Sequence, residues 1–198
     1  YTFCMKTTIF IIPGYLHATK DYQYLWLTEY LQSNDYVVKE VSINWRYHVM
    51  SDYVKEFEAY YESNKSEVNY VFGFSFGAMI AFITAKTLRP DKLFLCSLSS
   101  YFNEDLETMK SSWKTYFAFR RMNDFKQYSA IEIANKIKIP TVILYGSTEG
   151  ELYPQLKFRC EESARLISDA RLVIAKEATH NISYPSYIQA IKQAILAR

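Results

Sequence analysis

The chain has 198 residues, 49% of them hydrophobic, enough to bury one substantial core in a single domain. Its 23 basic and 21 acidic residues leave a formal net charge of +2 and are spread along the whole sequence, which excludes the electrostatic footprint of a nucleic-acid or anionic-membrane binder. The three cysteines, Cys4, Cys96 and Cys160, are odd in number and widely spaced, so they argue for neither a disulfide framework nor a metal site; reduced thiols and a cytoplasmic location are expected.

Lys6 to Ile12 is a short, β-branched, nearly continuous apolar run ended by Pro13-Gly14-Tyr15, as suits a strand buried on both faces of a parallel sheet. That use excludes a membrane span and competes with a signal peptide. Tyr1 to Cys4 precede Met5, and whether they are native is left open. Asp21 to Gln32 carries Tyr24, Leu25, Leu27, Tyr30 and Leu31 at helical spacing, and Val37 to Ile43 is the second strand. Asn44 to His48 forms its end, and a helix follows from about Ser51 to Ser63, with Tyr53, Val54, Phe57 and Tyr60 on one face.

Val68 to Phe72 is the third strand, followed at once by a small-residue helix, Gly77 to Leu88, that Arg89-Pro90-Asp91 closes. Lys92 to Leu98 is the fourth strand. Residues 99–138 break the rhythm; they are helical in pattern and rich in large side chains such as Met109, Trp113, Tyr116, Phe117, Phe119, Met122 and Phe125, and are expected to be a helical insertion. Thr141 to Tyr145 is the fifth strand, Pro154 to Ser168 a helix, Arg171 to Ala175 the sixth strand and Tyr184 to Ala197 the closing helix. Alternating strands and helices predict a three-layer α/β/α sandwich: a mostly parallel sheet of about six strands, with ligands bound along its carboxyl edge.

Only five glycines are present, Gly14, Gly73, Gly77, Gly146 and Gly150, and all follow or end predicted strands. Glycine offers positive φ or close backbone approach, so three strand ends need special backbone. One of them is Gly73-Phe74-Ser75-Phe76-Gly77, the pattern G-x-S-x-G between a strand and a helix, where it reads as a nucleophile elbow. A serine needs a base, and His180 follows the sixth strand on the same edge. The base needs an orienting carboxylate; Glu149, three residues past Gly146, is the choice, with Glu151 and Asp105 as alternatives. Asp91 and Asp169 precede their strands and belong to the other edge. The expected oxyanion donors are the backbone N–H groups of Phe76 and Tyr15. Gly14 and Phe74 beside the serine, and Trp113 and Phe117 of the insertion, are the expected substrate contacts. His17, His48 and Arg46 are weaker ones, and Cys96 is expected to be a core side chain.

On these motifs the chain resembles a small member of the α/β-hydrolase fold superfamily, with Ser75, Glu149 and His180 in that family's Ser, acid, His order and Pro13-Gly14-Tyr15 where it often has His-Gly. Glu in place of the usual Asp is a departure. The resemblance implies that the first two strands of larger members are absent, that residues 99–138 form a cap, and that no cofactor or metal is used. The function so implied is a serine esterase or thioesterase acting on a small acyl substrate; acyl transfer and non-catalytic ligand binding on the same fold are the alternatives.

Overall fold

The computed structural model describes residues 6–197; Cys4 lies outside them. Six strands form one all-parallel sheet: β1 (Thr7–Ile12), β2 (Val37–Glu40), β3 (Val68–Phe74), β4 (Lys92–Cys96), β5 (Thr141–Gly146) and β6 (Ala170–Ala175), in the order β2-β1-β3-β4-β5-β6. Strand parity sorts the core into two halves. Ile9, Ile11, Phe72, Phe74, Phe94, Cys96, Val142 and Leu144 face helices α1 (Tyr22–Ser33) and α8 (Pro185–Leu196). Phe10, Ile12, Val71, Leu93, Leu95 and Ile143 face the other way, onto α2 (Met50–Asn64), α3 (Phe76–Leu88), α5 (Ala130–Lys136) and α7 (Pro154–Leu166). Apart from Thr8, Asn69 and Thr141 near the starts of their strands, the buried strand side chains are apolar on both faces, which is why the central strands read as nearly unbroken hydrophobic runs.

The strand order reverses between β1 and β3, so their carboxyl ends flank a crevice. Their register pairs Ile12 with Gly73, which brings Pro13-Gly14-Tyr15 alongside the turn at Ser75. Helix α3 begins immediately, and ten of its thirteen residues are buried. It stops where Arg89 takes a left-handed conformation (φ 46°) before Pro90.

The long stretch between β4 and β5 contains a 3-10 turn (Asn103–Asp105), helix α4 (Ser111–Phe125) and α5. Ala118 (φ 56°, ψ 173°) breaks α4 in the middle. The break turns Phe117 into the core while Phe119 stays 83% exposed. Three expectations shift. β2 ends at Glu40 rather than Ile43, as an edge strand that needs only a short ladder; Val41 still donates to the Ile11 carbonyl. β4 ends at Cys96, because Ser97 leaves the strand at φ 53°. Residues 147–152, to which the sequence pattern assigns no element, form a short helix, α6 (Ser147–Leu152), between β5 and α7. No helix among the described residues is long and apolar enough to cross a membrane.

Candidate active site

Ser75 sits between β3 and α3 at φ 57°, ψ −116°, a conformation that an L-residue adopts only when its surroundings force it. The forcing is steric and local. A Cβ on Gly73 would lie 2.4 Å from the Gly77 carbonyl oxygen, and one on Gly77 would lie 2.2 Å from that of Ile12. The flanking glycines therefore let strand, elbow and helix pass at backbone contact. No glycine among the described residues has positive φ; close approach is what they supply here. The Ser75 amide donates to the Cys96 carbonyl at 2.8 Å, continuing the β3–β4 ladder one bond past the strand and holding the turn.

Ser75 Oγ lies 3.1 Å from His180 Nε2, and His180 Nδ1 makes a short hydrogen bond to Glu149 Oε1. The carboxylate of Glu149 is fully buried. Its other oxygen accepts from Ser97 Oγ at 2.9 Å and from the Gly146 amide at 3.0 Å. Ser97 Oγ is in turn 2.7 Å from the hydroxyl of Tyr187, whose ionisation burial suppresses. With Ser97 donating to the carboxylate, the Tyr187 hydroxyl donates to Ser97, giving a chain of donors that ends on Glu149. A buried carboxylate is tolerable only when its lone pairs are taken up in this way.

The loop bearing His180 is clamped to the turn after β5. The Glu149 amide donates to the Ala178 carbonyl, and the Glu177 amide to Ser147 Oγ. A Cβ on Gly146 would lie 2.2 Å from the Ala178 oxygen, so the loop rests on bare backbone. Phe74 supports the imidazole from below, its ring 5.0 Å away and tilted by 35°.

The β1–α1 loop closes the other side. A Cβ on Gly14 would come within 3.5 Å of Ser75 Cβ, and the Gly14 amide is engaged by the Tyr24 hydroxyl at 2.8 Å. Among the described residues, neither the Tyr15 nor the Phe76 amide donates to a protein acceptor; Phe76 is the first residue of α3, whose N–H groups point out of the helix. A cavity of about 540 Å³ opens over Ser75 and His180, walled by Tyr15, Met109, Trp113, Phe117, Leu152 and Leu156. Ser99 Oγ, also on its wall, is 3.4 Å from Ser75 Oγ.

Thus Ser75, His180, Glu149, Gly14, Tyr15, Phe76, Trp113 and Phe117 converge on one cavity or its support. Phe74 is a correction: it is fully buried and faces α1 and α8, because strand alternation turns it away from the cavity. Asp105 is engaged elsewhere, held by Arg159 through bonds of 2.6 and 3.2 Å inside the core. Glu151 is exposed. His17 joins the cavity wall, and burial together with His180 holds its pKa below the ordinary value, against the pull of Asp21. His48 and Arg46 lie farther along the edge, on a second cavity. Cys96 and Cys160 are buried and unpaired, their thiols pushed up by burial. Sequence reasoning missed Ser97 and Tyr187; the one available signal was Ser97 at the carboxyl end of an apolar strand.

No protein-family model and no curated protein matches the chain by sequence. Solved structures do match along nearly its whole length. Est1E from Butyrivibrio proteoclasticus superimposes with a TM-score of 0.81 at 13% identity, covering 96% of this chain and 86% of that one. Alpha/beta hydrolase domain-containing protein 10 from mouse gives 0.73 at 12%, covering 95% and 87%. MGS-MChE2, an alpha/beta hydrolase from a lagoon-sediment metagenome, gives 0.73 at 18%, covering 96% and 90%. At such identities the likeness is one of architecture: the chain has the α/β-hydrolase fold.

Proposed function

We propose that the protein is a serine hydrolase that cleaves a carboxylic ester or thioester through an acyl-enzyme. The observation that carries this reading is the continuous chain from a backbone-strained Ser75 through His180 to a fully buried Glu149. Glu149 takes the Nδ1–H of a neutral imidazole, leaving Nε2 as the acceptor for the Ser75 proton. As that proton moves to Nε2, Ser75 Oγ bonds to the substrate carbonyl carbon, and the carbonyl electron pair moves onto oxygen. The amides of Tyr15 and Phe76 and the N-terminus of α3 receive that oxyanion. Collapse of the tetrahedral species expels the alkoxide or thiolate, which takes the proton from Nε2. Water then repeats the sequence on the acyl-enzyme and frees the acid. The apolar cavity under residues 99–138, with Trp113 and Phe117 in its wall, suits an acyl chain, and that insertion acts as the cap.

A fluorophosphonate probe tests the reading. It is expected to label Ser75 in the folded protein, and Ser75→Ala is expected to abolish both labelling and p-nitrophenyl ester turnover without changing the circular dichroism spectrum. No labelling of the folded wild type, or retained turnover in Ser75→Ala, would favour a ligand-binding protein instead.

A further inference from the structure

A second cavity, about 480 Å³, adjoins the first; Tyr15 and Phe117 belong to the walls of both. Its chemistry is different. Arg46, Arg120 and Arg121 line it with His48, and among the described residues no carboxylate does, in a chain whose acidic and basic residues are otherwise nearly balanced. The three guanidinium groups are unequally engaged. Arg121 donates to the His48 and Trp45 carbonyls at 3.2 and 3.5 Å and lies 5.6 Å from the centre of the Tyr15 ring, so it holds the wall in place. Arg120 donates to the Tyr47 carbonyl and meets Asp52 only at 3.8 Å, with side chains 69% and 36% exposed, a pairing too wet to neutralise it. Arg46 is exposed and has no acidic partner within 4 Å among the described residues. Two bent backbone points, Tyr47 (φ 61°) and Ala118 (φ 56°), stand on the same wall.

We propose that this cavity is an anion subsite, which takes a phosphate or carboxylate carried by the substrate at the end remote from the scissile carbonyl. Resting on the hydrolase reading above, this makes the substrate an anionic ester or thioester that spans both cavities past Tyr15. Guanidinium forks match such oxyanion groups in geometry as well as charge.

Two measurements test it. In the first, kcat/KM is compared for p-nitrophenyl esters bearing an ω-carboxylate and their neutral ω-methyl ester counterparts. A leaving-group arm compares acetylated 4-hydroxybenzoate with its methyl ester. In at least one arm the anionic substrate is expected to be favoured by about 10-fold, as charge-assisted bonds allow, with the ratio collapsing to about 1 in Arg46→Gln/Arg120→Gln and at 0.5 M salt. A ratio near 1 in both arms of the wild type, or one unchanged in the double variant, overturns the subsite. The second is calorimetric titration of the whole protein and of the double variant with phenyl phosphate, which needs no turnover. Saturable binding lost in the double variant supports the subsite even if Ser75 fails to label, an outcome that would strike the hydrolase reading alone. Where no ester is turned over and no ratio can be read, absence of saturable binding overturns it.

Discussion

Replacing Glu149 by Gln keeps the shape of a fully buried side chain and removes only its charge. Two donors, Ser97 Oγ and the Gly146 amide, converge on one carboxylate oxygen, and His180 Nδ1 meets the other. The Gln carbonyl oxygen must take the two-donor position, since turning its NH2 there would set donor against donor. The NH2 then faces His180 and accepts nothing from Nδ1. The imidazole is driven to the tautomer protonated on Nε2, whose proton points at Ser75 and blocks the transfer. The imidazolium formed in the transition state also loses its counter-ion. At contact separation and an effective dielectric constant near 20, that attraction is about 4 kcal/mol, or about 10³-fold in rate. We therefore expect kcat for a p-nitrophenyl ester to fall by about 10³-fold in Glu149→Gln, with KM little changed and the unfolding midpoint near that of the wild type. Glu151→Gln and Asp105→Asn, measured beside it, lack contact with His180 and are expected to leave kcat within about twofold for the protein that remains folded. A folded Glu149→Gln within about 10-fold of wild-type kcat would refute the orienting role.

Gly77→Ala drives a methyl group to 2.2 Å from the Ile12 carbonyl oxygen and 2.5 Å from that of Pro13, so a loss of about 3 kcal/mol or more is expected in urea unfolding; a wild-type midpoint would show that the elbow has slack. Arg159→Met leaves Asp105 buried without its ion pair, and a loss of about 3–5 kcal/mol is expected, with the melting temperature as the readout. Burial raises the Asp105 pKa and the guanidinium opposes that rise, so removing the arginine leaves only the unfavourable part. His17 has its folded-state pKa lowered chiefly by burial. Its neutral form is favoured in the fold, so the stability it contributes is complete above the unfolded value of about 6.5 and is lost as pH falls from there through the folded value. His17→Gln is expected to flatten the decline in melting temperature on the acid side of pH 6.5, and an identical decline in both proteins would refute this.

The sheet was legible because its central strands are buried on both faces and so appear as nearly uninterrupted apolar runs, and the edge that carries the candidate site was legible because Ser75, Glu149 and His180 each follow a strand. What stayed hidden has three physical sources. Helix α6 has only six residues, too few for a periodicity to register. Ser97 continues an apolar run in sequence while leaving the strand in space, and a positive φ in a residue other than glycine carries no compositional mark. Tyr187 is one aromatic among 18 tyrosines, and only the packing of α8 under the sheet selects it to meet Ser97. The orientation of Phe74 was hidden for a related reason: the elbow turns Ser75 toward the cavity while its neighbour obeys strand alternation.

The two serines also explain why so few glycines suffice. Ser75 and Ser97 stand at the ends of adjacent strands with φ of 57° and 53°, each a strain of about 1–3 kcal/mol. In both, the strained residue's amide is taken by the next strand, Ser75 to Cys96 at 2.8 Å and Ser97 to Leu144 at 2.7 Å. The ladder thus runs one bond beyond the regular sheet, and the side chains swing out of it. One turned hydroxyl meets the imidazole and the other meets the carboxylate hydrogen-bonded to that imidazole. The segments that follow β1, β3, β4, β5 and β6 deliver Tyr15, Ser75, Ser97, Glu149 and His180 to a single edge, Glu149 from helix α6, and the stretch after β2 delivers Arg46 to the cavity beside it. Glycine is then needed only where backbones touch, and a serine held by its neighbouring strand can supply both the bend and the functional group.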